Sequence, residues 1–167
     1  AVIRVLSSTD INISNNYMTE IGEGSLNSDS DFVDQFNIKI GTYGTSSSDD
    51  NGPCKRITIK NNFISGARDV NSYHLGGILI ENNYQTSNLT PAEDIQIVGN
   101  HLFSSGSGIS WLERGIVING KSSGVKNVTI EDNYVVVAPE SAASGLSGRG
   151  AVSIISDDST GKCYQIK

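Results

Sequence analysis

The sequence is poor in the residues that favour helices. Its 167 residues include only 8 Leu, 7 Ala and 1 Met, against 20 Ile and 12 Val. Because Leu, Ala and Met favour helices whereas β-branched residues favour strands, the composition argues against a helical bundle or a coiled coil. Gly, Ser and Asn together supply 58 residues, which is typical of a chain with many turns. The composition therefore predicts an all-β protein.

Positive charge and long apolar runs are also scarce. The chain has 12 Lys and Arg against 18 Asp and Glu, which gives a net charge of -6. Nucleic-acid binding requires Lys and Arg clustered against the phosphates, and the sequence contains no basic stripe. No apolar run approaches the roughly 20 residues of a transmembrane helix. We therefore expect neither nucleic acid nor a membrane as a partner.

Two short repeats alternate along the chain. The first places apolar residues at alternate positions before a polar residue, Asn and an aromatic residue or His. It occurs at 11–17 (INISNNY), 57–63 (ITIKNNF), 95–101 (IQIVGNH) and 128–134 (VTIEDNY). The second, a run rich in Ile and Val, occurs at 2–6 (VIRVL), 36–41 (FNIKIG), 77–82 (GILIEN), 115–120 (GIVING) and 151–155 (AVSII).

The spacing of the repeats predicts a solenoid. Asn16, Asn62, Asn100 and Asn133 are 46, 38 and 33 residues apart. The repeats thus keep their length while the inserts vary, as in a solenoid whose insertions form loops. A β-propeller blade has a similar period but needs four hairpin-linked strands, and these inserts are too long and too rich in Ser for hairpins. We predict a right-handed parallel β-helix of about four coils with long loops.

The residues of the first repeat have distinct expected roles. Ile11 and Ile13 point inward and stack on the apolar residues of the next copies. The four ladder asparagines are Asn16, Asn62, Asn100 and Asn133. We expect them to adopt the left-handed conformation that turns the chain sharply between sheets. We also expect them to pass amide hydrogen bonds from coil to coil.

The repeats Ile-x-Ile-x-Asn-Asn and Gly-Ile-x-Ile resemble those of the right-handed parallel β-helix superfamily, which includes pectate lyases, polysaccharide epimerases and bacteriophage tailspikes. The resemblance extends over nearly the whole chain. The repeated residues have structural roles. The resemblance is therefore specific for the fold and implies the function only in general terms, namely the binding of a polysaccharide. Resemblance to a tailspike implies, in addition, a homotrimer.

Both ends of the sequence lie within a repeat. The chain opens in a copy of the second repeat, and residues 163–167 (CYQIK) look like the start of another copy of the first. A solenoid that stops there exposes its apolar interior and its strand edges, which terminal repeats normally cap. We therefore expect residues 1–167 to be a single β-helix segment of a larger chain or assembly that covers its ends.

The two cysteines provide a test of the register. Cys54 precedes the second copy of the first repeat, and Cys163 precedes the fifth. Three coils, or roughly 14 Å, therefore separate them. A disulfide requires Cα atoms within about 7 Å, so both thiols are expected to be free or to pair outside the chain.

Candidate catalytic residues precede the copies of the second repeat. Aligning those copies brings Asp34, His74, Glu113, Arg114 and Arg149 to one flank in consecutive coils. Glycoside cleavage commonly uses two carboxylates, about 5 Å apart for retention and about 6.5–9.5 Å apart for inversion. Asp34 and Glu113 lie two coils apart, roughly 10 Å before their side chains are counted. We predict that they act as acid and base.

Neighbouring residues are predicted to contact the substrate. Arg114 and Arg149 can hold substrate carboxylates or orient the acids, Trp111 offers an apolar face to a sugar ring, and His74 lies on the same flank. The alternative is a solvated rim of charges beside loops. His101 occupies the aromatic position of the first repeat and is expected to be a packed turn residue. We predict neither a cofactor nor a metal ion, because the sequence has no phosphate-binding loop and no metal-binding motif.

The leading functional prediction is a polysaccharide-binding and polysaccharide-degrading β-helix that resembles a bacteriophage tailspike or capsule depolymerase, located in a virion tail or outside the cell. Two alternatives stay open. One is a secreted polysaccharide lyase or epimerase, although lyases usually need basic residues or calcium to acidify the proton beside a uronate, and Lys and Arg are scarce. The other is a non-catalytic structural or adhesin solenoid, which nothing in the sequence excludes.

Overall fold

The described part of the chain consists of parallel β-strands. The computed structural model describes residues 3–21, 36–41, 54–67, 76–81, 91–103, 114–120, 124–137, 150–155 and 163–167. Within these ranges the chain has fourteen strands and no helix. None of the described segments therefore forms a helix long and apolar enough to cross a membrane.

The strands form three parallel sheets that the chain visits in turn. Sheet A contains β1 (Ile3–Val5), β4 (Phe36–Ile40), β7 (Gly76–Glu81), β10 (Arg114–Asn119) and β13 (Gly150–Ile155). Sheet B contains β2 (Thr9–Ser14), β5 (Lys55–Lys60), β8 (Ala92–Val98), β11 (Val125–Glu131) and β14 (Cys163–Ile166). Sheet C contains β3 (Tyr17–Ile21), β6 (Phe63–Ala67), β9 (His101–Phe103) and β12 (Tyr134–Val136).

We call each passage through sheets A, B and C a coil. Each strand pairs in parallel with the strand that holds the same place in the next coil. The second repeat forms the strands of sheet A and the first repeat forms those of sheet B, which runs on into sheet C. The prediction of an all-β chain is confirmed, and three parallel sheets built in this order are consistent with a parallel β-solenoid.

The apolar residues of the repeats form the core as expected. In sheet B, Ile11 aligns with Ile57, which aligns with Ile95. Further inward rows come from sheet A, with Ile38, Ile78, Ile116 and Val152, and from sheet C, with Met18, Ile64, Leu102 and Val135. Most of these side chains belong to one continuous core cluster, so burial along the coils explains the period-2 alternation of the repeats.

The ladder asparagines confirm one expected role and correct the other. Asn16 Nδ2 donates to Asn62 Oδ1, Asn62 Nδ2 to Asn100 Oδ1, and Asn100 Nδ2 to Asn133 Oδ1, each at 2.9 Å. The amide ladder is therefore present. The left-handed residue is the one before each ladder asparagine, and the expectation that the ladder residue itself turns the chain is wrong. These preceding residues are Asn15, Asn61, Gly99 and Asp132, with φ of +59°, +54°, +64° and +54°.

A second row of left-handed residues lies near the start of each sheet B strand, where the sequence did not predict one. It consists of Asp10, Arg56, Asp94, Asn127 and Gln165, with φ between +52° and +60°. Left-handed backbone costs a residue with a Cβ atom roughly 1–2 kcal/mol. Because every coil adopts the left-handed conformation at the same place, this conformation is a property of the stacked backbone rather than of one side-chain type.

Glycine in the second repeat allows sheet C to pack closely on sheet A. A Cβ atom at Gly77 would lie 2.3 Å from Leu102 Cδ2, and one at Gly115 would lie 2.3 Å from Val135 Cγ1. Leu102 is a core residue of sheet C, and Val135 packs against the same core. The glycines are therefore required by the close approach of core side chains to the backbone of sheet A.

The predicted register of the cysteines is confirmed. Lys55 aligns with Glu93, and Val125 aligns with both Ala92 and Cys163. Cys54 and Cys163 are thus three strand spacings apart, roughly 14 Å, and both thiols are free.

Candidate functional site

The three central strands of sheet A are buried on both faces. Every residue of β4, β7 and β10 is buried, whereas burial alternates along β5 and β8 of sheet B. One face of sheet A belongs to the core described above. The other, which we call the outer face of sheet A, carries a second apolar cluster of Phe36, Leu79 and Val117. Burial of both faces makes this sheet the place where polar side chains are held away from water.

The outer face of sheet A contains a buried polar network that spans three coils. Lys39 lies in β4, Glu81 in β7 and Asn119 in β10. Lys39 Nζ lies 3.9 Å from Glu81 Oε2, and Asn119 Nδ2 donates to Glu81 Oε1 at 2.7 Å. All three residues are at most 3% exposed. Burying a charge is unfavourable unless it is paired and hydrogen-bonded, so the carboxylate of Glu81 is held by a cation in one adjacent coil and an amide in the other.

Arg114 is the one predicted site residue that lies in the described part of the chain. Its side chain is fully buried. It aligns with Gly76 and Gly150, neither of which has a side chain. The ring of Phe36 occupies the space above Gly76, where a Cβ atom would lie 2.1 Å from Phe36 Cε1. Phe36 aligns with Gly76 and Gly76 with Arg114; since Phe36 belongs to the apolar cluster of the outer face, the row that contains Arg114 lies on that face.

Five predicted site residues lie outside the described residues. They are Asp34, His74, Trp111, Glu113 and Arg149. The alignment from which they were predicted is nevertheless present, because Ile38, Ile78, Ile116 and Val152 form one row of sheet A. The order of strands in that sheet puts β4 and β10 on opposite sides of β7. The strands that follow Asp34 and Glu113 are thus two strand spacings apart, about 10 Å.

The outer face of sheet C carries an aromatic row. Tyr17 aligns with Phe63, Phe63 with His101, and His101 with Tyr134. Tyr17 and Tyr134 are 73% and 56% exposed, and His101 is also exposed. The rings of Tyr17 and Phe63 stack at 4.8 Å with planes 9° apart, whereas those of His101 and Tyr134 are 5.8 Å apart and tilted by 39°.

The sequence predicts a packed turn residue at His101, and the exposure of this aromatic position is not predicted. The structure places His101 at the first residue of β9, packed on Tyr134 at the surface. A signal was present in the sequence. The next residue in each strand, such as Leu102 after His101, is apolar and faces the core, so the aromatic residue before it must face outward.

The corner between sheets A and B carries alternating charges. Arg56 donates to both carboxylate oxygens of Asp10, at 2.6 and 2.8 Å. In the adjacent row, Glu93 lies 2.6 Å from Lys55 and 3.8 Å from Lys126. The hydrogen bonds from Arg56 hold the pKa of Asp10 below its ordinary value. Since the charges neutralise each other between coils, this corner presents neither an anion-binding nor a cation-binding patch.

The described residues offer little reactive chemistry elsewhere. They contain no group of three His, Cys, Asp or Glu residues arranged to hold a metal ion. Cys163 Sγ lies 3.3 Å from Ile155 O, and burial raises the pKa of the Cys163 thiol. A raised pKa lowers the thiolate fraction, so this cysteine is a poor nucleophile.

Comparison with protein-family models, with curated proteins and with solved structures found no match. Two features of the described residues bear on function, the buried polar network on sheet A and the aromatic row on sheet C.

Proposed function

We propose that this chain is a segment of a right-handed parallel β-helix that binds and degrades a polysaccharide, with Asp34 and Glu113 cleaving the glycosidic bond. The observation that carries the proposal is the burial of Lys39, Glu81 and Arg114 on the outer face of sheet A. Buried charges are unfavourable for stability and are concentrated at functional sites. Asp34 and Glu113 precede β4 and β10, the strands that contribute two of these charges.

The proposed reaction is an inverting hydrolysis. One carboxyl group protonates the glycosidic oxygen, while the other, as a carboxylate, takes a proton from the water that attacks the anomeric carbon. A separation of two strands, about 10 Å between backbones, suits the roughly 6.5–9.5 Å between carboxyl groups that inversion requires. Retention needs carboxyl groups about 5 Å apart, and the wider strand separation favours inversion. Arg114 is fully buried, which favours the role of orienting a carboxylate over that of meeting substrate in solvent.

A cleavage assay with matched variants tests the proposal. Capsular and O-antigen polysaccharides are incubated with the protein, and new reducing ends and unsaturated sugars are measured separately. Asp34→Asn and Glu113→Gln are expected to abolish the release of reducing ends. Glu131→Gln, which changes an exposed carboxylate at the end of β11, is the control and should retain it. The anomeric configuration of the first product, read by NMR, should be inverted.

Two outcomes would overturn this proposal. Ultraviolet absorbance from unsaturated sugars would indicate a lyase, the first alternative from the sequence. Absence of products from every polysaccharide, or full turnover in both variants, would remove Asp34 and Glu113 from catalysis and favour a non-catalytic solenoid.

Assembly and location are part of the same proposal. We propose a homotrimer, or a larger β-helix protein that includes this segment, in a virion tail or outside the cell. Val152 and Ile154 of β13 are 47% and 54% exposed, and such an assembly can cover these apolar side chains. Size-exclusion chromatography with light scattering measures the oligomeric state directly.

A further inference from the structure

We infer that the aromatic row of sheet C (Tyr17, Phe63, His101 and Tyr134) is a second, non-catalytic site that binds a polysaccharide chain lying along the stack of coils. Only the ligand class is taken from the proposed function, on which this site therefore rests. Sheet C is a different sheet from the one that carries the buried network. Binding at the aromatic row is thus separable from cleavage.

The core does not require these aromatic side chains. In the same strands, Met18, Ile64 and Leu102 face inward and are at most 5% exposed, so the interior of sheet C is already filled by their neighbours. Single exposed apolar residues are common on protein surfaces, but a contiguous set is characteristic of a binding surface. Phe103, 39% exposed in the adjacent row, widens the apolar surface beside His101.

The chemistry of the row suits a hydroxyl-rich ligand. Tyr17 and Tyr134 combine an apolar ring with a hydroxyl group, and His101 combines one with ring nitrogens. Sugars present the complementary pair, a face of C–H groups surrounded by hydroxyls.

The turns between sheets B and C add hydrogen-bonding groups at a fixed distance along the chain from the rings. Asn15, Asn61 and Asp132 are exposed, and each lies two residues before a ring of the row. Their backbones are held at positive φ in the left-handed region. Amide and carboxylate groups beside aromatic rings can hydrogen-bond sugar hydroxyls, and three of the four described coils supply one; the equivalent residue before His101 is Gly99.

Ring geometry indicates where the ligand binds most strongly. Tyr17 and Phe63 stack with nearly parallel planes, so each ring covers one face of the other. His101 and Tyr134 are farther apart and tilted, which leaves part of their faces open to a ligand. The row as a whole covers three strand spacings, roughly 14 Å. We therefore expect a short stretch of the polysaccharide to bind, with its main contacts at His101 and Tyr134.

The charges beside the row predict how binding responds to salt. Lys60 and Glu131 are both exposed, and each ends a strand of sheet B that leads to this corner. Their charges are opposite, and the exposed carboxylate of Asp132 lies beside the same row, so these groups give no net attraction for an acidic glycan. Binding through ring faces and neutral hydrogen bonds should therefore change little with ionic strength, unlike binding to a basic patch.

The test measures binding in a protein that cannot cleave. In the Asp34→Asn background, isothermal titration calorimetry follows cellohexaose, maltohexaose and the O-antigen fragments used in the cleavage assay. Tyr134→Ala should weaken the binding of at least one of these probes about tenfold. The matched control is Tyr164→Ala, which removes a 47% exposed tyrosine from sheet B and should leave affinity unchanged. The imidazole NMR signals of His101 should shift when the same probe is added.

Several results would overturn this site. They are equal affinity of the Tyr134→Ala and Tyr164→Ala proteins, an unshifted His101 signal with a probe that binds, or no binding of any probe. Loss of folding in Tyr134→Ala is checked by urea unfolding, and His101→Gln then provides a second substitution in the tilted pair. Because affinity is measured without turnover, failure here leaves the roles of Asp34 and Glu113 intact. Failure of the cleavage assay leaves the affinity measurement interpretable in the same way.

Discussion

Replacing Asn100 with Ala measures how strongly the amide ladder holds neighbouring coils together. The Asn100 side chain is fully buried. Its Oδ1 accepts from the backbone N of Asn62 at 3.0 Å and from Asn62 Nδ2 at 2.9 Å. Its Nδ2 donates to Ile59 O and to Asn133 Oδ1, both at 2.9 Å. One side chain thus connects three successive coils.

The energetic effect follows from the groups that lose their partners. In Asn100→Ala, the backbone N–H of Asn62 loses its acceptor and Ile59 O loses the donor that Asn100 supplies. A buried polar group left unsatisfied costs roughly 1–3 kcal/mol, so these two groups give about 2–6 kcal/mol. Water entering the vacated space lowers the figure, and we expect about 3 kcal/mol. That is a large part of the roughly 5–15 kcal/mol that stabilises a typical domain.

Asn16→Ala is the matched control because it removes the same side chain without leaving a buried group unpaired. Asn16 Nδ2 donates to Asn62 Oδ1 and to Ser14 O. After the substitution, Asn62 Oδ1 still accepts from the backbone N of Asn16, at 3.1 Å. The expected loss is therefore about 1 kcal/mol, the net contribution of an ordinary hydrogen bond.

Urea unfolding of both variants, followed by circular dichroism and tyrosine fluorescence, gives the two free-energy differences. The m values should match that of the parent chain, since the exposed surface on unfolding is unchanged. If Asn100→Ala and Asn16→Ala differ by less than about 0.5 kcal/mol, close to the error of extrapolation, the buried amide ladder is not what holds the coils in register.

Two further predictions concern the backbone of sheet A and the charged corner. Gly77→Ala should destabilise the protein by about 1–3 kcal/mol, as overpacking does, because its Cβ would lie 2.3 Å from Leu102 Cδ2; unchanged stability in urea would show that sheet C can move away. Arg56→Gln should return the pKa of Asp10, measured by NMR titration, toward its ordinary value of 3.8. Because the folded-state pKa is lowered, the stability that Asp10 gains from Arg56 is present above pH 3.8 and is lost as the pH falls through the folded pKa. The stability difference between the parent chain and Arg56→Gln should therefore shrink in acid, and a difference independent of pH would contradict the ion pair.

The fold was predictable because the repeats determine the register. Strands of period two, stacked in parallel, put Ile57 on Ile11 and Ile95 on Ile57, and the sequence repeats those residues at the same place in each coil. Once that alignment is made, the separation of Cys54 from Cys163 follows without further information. Parallel pairing with constant register is what allows one alignment to determine so many contacts.

The left-handed residue between sheets B and C was predicted one position too late in the sequence, for a physical reason. In Asn15-Asn16 and Asn61-Asn62, either residue tolerates the left-handed conformation, so composition does not distinguish them. The amide ladder does, because the second asparagine must direct its side chain along the stack. Gly99, the first residue of the pair in the third copy, was the sign that the left-handed position comes first.

The left-handed row that contains Asp10, Arg56 and Gln165 could not be predicted in this way. Its members differ in charge and size, and Arg and Gln rarely adopt positive φ. The conformation is imposed by the path of the chain between sheets A and B, which a single repeat does not reveal. The predicted site is limited for a related reason. Asp34 and Glu113 lie in inserts whose sequence does not repeat, and Arg114 is the one predicted site residue within the described strands.

The outward-facing residues of sheets A and C differ in how their chemistry varies from coil to coil. On sheet C, core packing places no demand on an outward side chain, so a residue type that recurs there in every coil needs another cause. On sheet A the outward row changes along the stack from basic (Arg4, Lys39) to aliphatic (Leu79, Val117) and then to a hydroxyl (Ser153), which suits a site that acts at one point. On sheet C an aromatic or imidazole ring recurs from Tyr17 to Tyr134. Stacking explains the parallel first pair, and the tilt of the second leaves part of its ring faces open to the ligand proposed above.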